Sequence, residues 1–165
     1  MARLTTLATL APLEAETVRR SVGGAQFTVR SRCGPANSRA PAVGVPPVMV
    51  RIVGLVTACS IAALVLEVER ELQPHARAPR LFDLRGCMMA LDAVTMYAAV
   101  AASAAYFPAL WEPMAMLVTP AQQPLVQQFA CLMSRAGACR AAFAEEPAGM
   151  AWAVEQAAVH RQWGP

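Results

Sequence analysis

The distribution of apolar residues along the chain is dominated by two long runs that contain almost no charge. The first covers residues 46–66, reads PPVMVRIVGLVTACSIAALVL and has Arg51 as its one charged residue. At about 1.5 Å per residue, a helix of this length is roughly 30 Å long, which matches the hydrocarbon core of a bilayer. Arg51 lies near one end, where a long side chain reaches the polar interface. The pattern predicts a first transmembrane helix at about 46–66.

The second run covers residues 87–111, reads CMMALDAVTMYAAVAASAAYFPALW and has one acid, Asp92. Three aromatic residues cluster at its end, as in the aromatic belt of a membrane interface: Tyr106, Phe107 and Trp111. A second span at about 88–111 is therefore predicted. The polar connection at 67–86 contains as many Arg as acidic residues and separates the two predicted spans.

The remainder of the chain gives a weaker signal. Prolines and glutamines at 112–128 predict a loop or an interfacial segment. Residues 129–144 and 148–159 are rich in Ala and favour helices, but Glu145 and Glu146 make a third span costly, and its existence stays open. The predicted fold class is all-α: an integral membrane helical protein with two spans and Ala-rich C-terminal helices.

The first 45 residues differ from the rest, because they hold six Arg against two Glu, with Gly, Pro, Ser and Thr throughout. We interpret residues 1–45 as a disordered N-terminal tail and residues 46–165 as a helical membrane domain. Threonines interrupt the apolar stretch before Glu14, which disfavours a secretory signal, whereas an organelle transit peptide remains an alternative. The Arg excess before the first span predicts a cytosolic N-terminus.

The composition agrees with a membrane protein and excludes several other classes. The chain is 56% hydrophobic and 15% charged, with a mean hydropathy of +0.39. A net charge of +3 is too small for a nucleic-acid binder that acts through bulk charge. The five Cys form no CxxC pair, so neither a zinc module nor a disulfide-stapled domain is indicated.

The sequence carries none of the common enzyme motifs, neither GxGxxG nor GxxxxGK[ST], HExxH or GxSxG. His75 and His160 stand alone in polar surroundings, as solvated surface histidines do. Cys59 and Cys87 lie in apolar runs, where a thiol behaves as a small buried hydrophobe with a raised pKa. We therefore predict no catalytic residue, no metal site, no cofactor and no small-molecule substrate.

Two features of the apolar runs suggest helix association. Small residues recur every four positions and would let helix backbones approach closely in lipid, although an Ala-rich chain also produces this spacing by chance. The candidate packing residues are Gly54, Ala58, Ala62, Ala98, Ala101, Ala102 and Ala105. Arg51 and Asp92 are lone charges in their runs, so they are candidates for an intramembrane charged pair, unless each reaches the interface separately.

Three stretches resemble a known family. MVRIVGLVTACSIAALVLEVERE resembles the first span of the Casparian strip membrane protein family and its CASP-like relatives, and RGCMMALDAVTMYAAVAASAA resembles that family's third span. The stretch QQFACLMSRAGACRAAFA resembles the family's approach to its fourth span. The resemblance implies derivation from a four-helix membrane bundle, with the family's charged Arg and Asp falling on Arg51 and Asp92.

The chain also departs from that family. Residues 67–86 are too short and polar to contain its second span, and Glu145 and Glu146 interrupt its fourth. The family's extracellular Cys pair would fall near Val126 and Met133. The chain therefore resembles a divergent or truncated member that lacks the second span.

The resemblance implies a non-catalytic plant scaffold in the plasma membrane, a multi-pass protein that self-associates and organises local cell-wall modification. Its partners would be the lipid bilayer and related membrane proteins in homo- or hetero-oligomers, with no nucleic acid. The alternative is an organelle-imported small subunit of a larger complex in a chloroplast or mitochondrial membrane. A soluble helical enzyme is the least favoured alternative.

Overall fold

The computed structural model of the chain describes residues 18–31 and 46–163, in which strands and helices alternate. The strands are β1 (Val18–Val22), β2 (Ala25–Ser31), β3 (Val48–Thr57), β4 (Arg80–Ala90), β5 (Met114–Leu117) and β6 (Arg140–Phe143). The helices are α1 (Ile61–Leu72), α2 (Ala93–Ala104), α3 (Gln123–Arg135) and α4 (Glu146–Trp163), with 3-10 turns at Gln73–His75 and Pro108–Trp111. The architecture is α/β.

The six strands form one mixed sheet in chain order, from β1 to β6. β1, β2 and β3 pair antiparallel, and β3 to β6 pair parallel. A β-bulge shifts the register of β3 and β4 just after Arg51, so that Val53 lies opposite Gly86. β4 pairs with the short β5 only as far as Asp83 and then continues alone on that side to Ala90.

The predicted transmembrane helix at about 46–66 is wrong. Its first half is β3, in which Val48, Val50 and Ile52 are buried at every second position. The helix α1 begins only at Ile61, after a turn. A strand of a covered parallel sheet reads as a continuous apolar run, so a strand followed by a helix imitates a single span.

The second predicted span, at about 88–111, is wrong for the same reason. Its first residues complete β4, and α2 ends at Ala104. A helix of 12 residues such as α2 is about 18 Å long, well short of the roughly 30 Å of a bilayer core. Pro108 then opens a 3-10 turn.

The two ends of the chain also differ from the prediction. The Ala-rich residues 129–144 are divided between the end of α3, the strand β6 and the approach to α4. Residues 18–31, which we interpreted as part of a disordered tail, form the β1–β2 hairpin. Residues 1–17 and 32–45 lie outside the described residues, and with them the rest of that tail and the alternative transit peptide.

In the described ranges, no helix combines the length and the apolar character that crossing a membrane requires. The predicted all-α fold with two membrane spans is therefore wrong. The same finding overturns the prediction of a multi-pass protein in the plasma membrane, or alternatively in a chloroplast or mitochondrial membrane.

Three helices pack on one face of the sheet and the fourth packs on the other. α1, α2 and α3 cover the main core, whose most buried side chains include Phe27, Val50, Leu64, Leu72, Val126 and Met133. On the opposite face, which we call the outer face, Leu81, Ala115 and Leu117 pack with Ala153 of α4. α4 packs against β4, β5 and β6, and Met49 of β3 packs at the edge of the same cluster. No described helix packs on the outer face of β1 and β2.

Gly54 lies where the β1–β2 turn approaches β3 most closely. Its φ is +97°, and a Cβ at this position would lie 2.4 Å from the carbonyl oxygen of Gly24. We expect Gly54→Ala to lower the free energy of unfolding by more than the ~1–3 kcal/mol that backbone strain alone costs. Urea denaturation of the wild-type and variant proteins measures this loss.

Gly137 provides the matched control. Its φ is +90°, but a Cβ there would have no neighbour within 4 Å. Gly137→Ala should therefore cost only the backbone strain. Equal losses for the two variants would contradict the close approach of Gly24 to Gly54.

Candidate functional site: an arginine-lined sheet face

Charged and polar side chains line the outer face of β1 to β4. Neighbouring strands place four residues in one row: Arg19 of β1, Thr28 of β2, Arg51 of β3 and Asp83 of β4. Cα partners on adjacent strands present their side chains on the same face. The alternating residues Val50 and Ile52 are buried in the main core, so the row faces away from α1, α2 and α3.

Asp83 is the acidic centre of this surface, and only 6% of the residue is exposed. Arg85 donates from Nε to Oδ1 at 2.9 Å and from Nη2 to Oδ2 at 3.0 Å, which is a bidentate ion pair. The backbone N–H of Arg85 donates to Oδ1 as well, at 3.2 Å. Nε of Arg51 lies 4.0 Å from Oδ2. One carboxylate thus holds two guanidinium groups.

Opposing effects set the pKa of the Asp83 carboxyl. Burial raises it, but hydrogen bonds from Arg85 and the positive charges of Arg85 and Arg51 lower it, and the result lies below the ordinary value of 3.8. The hydrogen bond to Asp83 in turn raises the pKa of Arg85. Asp83 is therefore a fixed anion at neutral pH that positions two arginines.

Arg19 and Arg30 extend the positive surface across β1 and β2. Both are exposed, and within 18–31 and 46–163 neither has an ion-pair or side-chain hydrogen-bond partner. A shallow pocket of about 180 Å³ lies between these two side chains and Arg51. A second pocket, of about 190 Å³, lies between Arg51 and Arg85 and is bordered by Glu146 of α4.

We call this surface the arginine face. It consists of Arg19, Gln26, Thr28, Arg30, Arg51, Asp83 and Arg85. Its four guanidinium groups exceed by one the nearby carboxylates, which are those of Asp83, Glu145 and Glu146. The surface therefore carries a positive excess and hydrogen-bond donors in several directions, an arrangement that suits carboxylate or phosphate ligands.

An apolar margin, made of Leu55 and Met88, borders the arginine face. Leu55 of β3 and Met88 of β4 are Cα partners. Leu55 lies four positions after Arg51 on β3, so its side chain and that of Met88 are on the outer face, as that of Arg51 is. Their exposed fractions are 39% for Leu55 and 69% for Met88. The outer face thus offers apolar contact area next to its cationic centre.

A second group of charges, the buried charge cluster, consists of Glu69, Arg80 and Arg140. Nη1 of Arg80 donates to both oxygens of Glu69, at 2.9 and 3.0 Å, and both side chains are 1% exposed. The Nη groups of Arg140 donate to three backbone carbonyls, those of Leu110, Glu112 and Cys139. Arg80 and Arg140 lie on either side of Met114 at the amino ends of three parallel strands.

Burial disfavours the charges of this cluster. It raises the pKa of Glu69 by more than Arg80 and Arg140 lower it. It also lowers the pKa of Arg140 to about 10, and the nearby charge of Arg80 acts in the same direction. Nε and Nη2 of Arg80 and Nε of Arg140 have no hydrogen-bond acceptor. Glu69 therefore forms an ion pair with Arg80, whereas Arg140 donates to backbone carbonyls.

The structure does not bring Arg51 and Asp92 together as a pair. Arg51 lies on β3 beside Asp83. Asp92 is the N-cap of α2, where Oδ1 accepts a hydrogen bond from the backbone N–H of Thr95 at 2.7 Å. Hydrogen bonds from Thr95 lower the pKa of the Asp92 carboxyl. The two charges have separate local roles, one in the sheet face and one in helix capping.

The candidate helix-packing residues are dispersed over several elements. Gly54 lies in β3, Ala58 in the turn that follows it and Ala62 in α1. The others lie on α2 or directly after it: Ala98, Ala101, Ala102 and Ala105. All of these alanines except the half-buried Ala101 are exposed. α2 instead contributes larger side chains such as Met96 and Val100 to the core.

The histidines and cysteines are placed separately. Nε2 of His160 lies 3.5 Å from a carboxylate oxygen of Glu112, and His75 is in a 3-10 turn. Burial raises the pKa of the Cys87 thiol to about 12, whereas Cys59 is exposed. In the described part of the chain, no three His, Cys, Asp or Glu residues gather where they could hold a metal ion.

Sequence reasoning identified Arg51 but missed the rest of the arginine face. The missed signal was an alternation of period two. In β2, Ala25, Phe27 and Val29 are buried, and the residues between them are more exposed and mostly polar. Arg30 belongs to that outward set. The buried charge cluster had no comparable signal, since Glu69, Arg80 and Arg140 come together only through the tertiary fold.

Asp83→Asn is expected to destabilise the protein at neutral pH and to have less effect in acid. Because the folded-state pKa of Asp83 is lowered, its carboxylate contributes stability above the unfolded pKa, and this contribution is lost as the pH falls through the folded value. Urea midpoints of wild type and variant, compared between about pH 7 and about pH 2, measure the effect. A difference that does not change with pH would contradict the Asp83 ion pairs.

Glu69→Met and Arg80→Met are each expected to destabilise the protein by about 3–5 kcal/mol, because each leaves a buried charge without its partner. The double variant should cost less than either single change. A double-mutant cycle in urea measures the coupling. The exposed pair Glu67 and Arg70 is the control, for which coupling of about 1 kcal/mol or less is expected. Additive losses at Glu69 and Arg80 would argue against the buried ion pair.

Comparison of the chain with protein-family models, with curated proteins and with solved structures finds no match. The resemblance to the CASP-like family therefore stays a prediction. The function has to be inferred from the geometry of the chain itself.

Proposed function

We propose that this protein is a non-catalytic binding module whose arginine face docks an acidic and partly apolar segment of a partner protein. The observation that carries the proposal is the set of four guanidinium groups on the outer sheet face. Three of them lie on β1 to β3, and the fourth, that of Arg85, lies on β4 at the edge that Glu146 of α4 borders. Arg19 and Arg30 have no partner among the described residues, so their donors are available to a ligand. Leu55 and Met88 supply the adjoining apolar contact.

The chemistry of the arginine face favours binding over proton transfer. A guanidinium group stays charged at physiological pH and has donors but no acceptor, so it serves poorly as a general acid or base. Asp83 is held as an anion by Arg85 and Arg51. Such groups recognise carboxylates bidentately and fix their orientation.

An acidic protein segment suits this face better than a nucleic acid does. Single-stranded nucleic acids are held largely by stacking of their bases on aromatic rings. The arginine face and its apolar margin contain no aromatic residue, because Phe27 of β2 and Phe82 of β4 are buried on the helix side. Leu55 and Met88 suit aliphatic side chains of a peptide.

Self-association, which the family resemblance implied, stays a prediction. The arginine face does not favour it directly, because two copies of a positive surface repel each other. A second copy could dock only through an acidic surface elsewhere on the chain. A distinct acidic partner is therefore the occupant that the charge pattern favours.

Fluorescence anisotropy with a labelled peptide of alternating Glu and Leu, about ten residues long like β3, tests the proposal. The double variant Arg19→Gln/Arg30→Gln should bind this peptide roughly tenfold more weakly than wild type, since it loses two charge-assisted contacts. It should retain its stability, because neither side chain has a partner among the described residues. The affinity should also fall as salt is added.

Arg70→Gln/Arg135→Gln is the matched control, since it removes the same charge from α1 and α3. It should change the affinity less than about twofold. A peptide of alternating Glu and Ser should bind more weakly than the Glu and Leu peptide if the apolar margin contributes. Equal losses in both double variants, or tighter binding of a single-stranded oligonucleotide, would overturn the proposal.

A further inference from the structure

The helix α2 is apolar both on the side that faces the sheet and on the side that faces solvent. The sheet side contributes Met96 and Val100 to the main core. Tyr106 continues the last turn of the helix, because its backbone N–H and that of Phe107 donate to the carbonyl of Ser103. The solvent side, which we call the α2 stripe, consists of Val94, Ala98, Ala102, Ala105 and Tyr106, all of them exposed. A helix that is apolar all round normally has both sides buried.

The described part of the chain leaves the α2 stripe uncovered. Val94 is 66% exposed, and Tyr106, at 77%, is the most exposed large apolar side chain in the described ranges. Charge is also scarce around it, since residues 93–134, which include all of α2 and most of α3, contain one charged residue, Glu112. Exposed apolar surface with few charges is typical of the core of a protein interface.

The surface around the α2 stripe is large enough for an interface between two copies of the chain. α2 contacts α1 on one side and α3 on the other. A helix of 12 residues is about 18 Å long, and neighbouring helix axes are about 10 Å apart, so the three helices form a layer of roughly 18 Å by 30 Å. Two such layers packed face to face bury on the order of 1,000 Å² in total, which is the area that a specific interface has to reach.

The α2 stripe is complementary to itself in the antiparallel orientation. Val94, Ala98, Ala102 and Tyr106 recur every four positions, and position 100 is the centre of this series. A twofold axis at that centre places Val94 of one copy opposite Tyr106 of the other. It likewise places Ala98 opposite Ala102. The small central side chains let the two helices approach closely, and the larger ones at the ends fill the remaining space.

We propose that the α2 stripe is the interface of a twofold-symmetric dimer in which α2 packs antiparallel to α2 of a second copy. A parallel arrangement is less favourable, because Arg70 and Arg135, in the last turns of α1 and α3, would lie at the same end in both copies and repel each other. A charged partner would find no opposite charge on the α2 stripe, whereas a second copy brings an equally apolar surface. The arginine face stays open in this dimer, since it lies on the other side of the sheet.

Analytical ultracentrifugation of the full chain, at concentrations up to about 1 mM, should show an equilibrium between monomer and dimer. Ala98→Glu and Ala102→Arg each place a charge without a partner in the interface, so each should raise the dimer Kd by roughly a hundredfold or more. Ala151→Glu is the matched control, because Ala151 is exposed on α4, on the other side of the sheet. It should leave the dimer Kd unchanged.

An equimolar mixture of Ala98→Glu and Ala102→Arg separates the interface from a folding defect. In the mixed dimer the introduced acid lies opposite the introduced base, so the mixture should recover dimers that neither variant forms alone. Recovery would also establish the antiparallel register. A monomeric wild type, an equal loss of dimer in Ala151→Glu, or a mixture that remains monomeric would overturn the proposal.

Discussion

The structure depends on one constraint of chain topology. The strands β3 to β6 are parallel and follow one another in chain order. Each step from one strand to the next therefore needs a crossover connection. Crossovers of the same handedness bring their helices to the same face of the sheet. α1, α2 and α3 accordingly share one core. Only α4, which comes after the last strand, is left for the outer face, where it covers β4 to β6. The antiparallel extension, β1 and β2, has no helix of its own to cover its outer face.

This asymmetry explains where the charges lie. Along β1 to β3, side chains on the outer face alternate with side chains buried in the main core, and the outer ones are mostly polar or charged. Asp83 of β4 provides the buried carboxylate that Arg51 and Arg85 share. Under the helices, the amino ends of β4 and β6 place Arg80 and Arg140 in the core, where Glu69 forms a direct ion pair with Arg80. The positive surplus on the arginine face offers a place for an anion.

Part of this arrangement could be read from the sequence. The lone Arg51 in an apolar run suggested an acidic partner, unless its side chain reached a polar interface by itself. The structure places it beside Asp83 instead of Asp92, because the register of β3 and β4 decides which residues meet. The apolar runs marked buried segments but did not distinguish a strand followed by a helix from one long helix, since both lack charge. The turn at 57–60, where Thr57 and Ser60 hydrogen-bond each other, was the local sign of a break.

The buried charge cluster shows the limit of reasoning from one sequence. Glu69 and Arg80 read as parts of the polar connection at 67–86, and Arg140 reads as one of the charges that make a third span costly. Their burial follows from sheet pairing across Met114 and from the packing of α1 over it. Neither the sheet pairing nor the helix packing produces a periodic pattern in the sequence.

The central claim is that the arginine face is the docking surface, and NMR of the arginine side chains tests it most directly. On titration with the acidic and apolar peptide, the Nε–H signals of Arg19, Arg30 and Arg51 should shift, because carboxylates then bind them. Those of Arg70 and Arg135, exposed on the helices of the other face, should stay in place. Shifts confined to Arg70 and Arg135, or none on the arginine face at saturating peptide, would contradict the account.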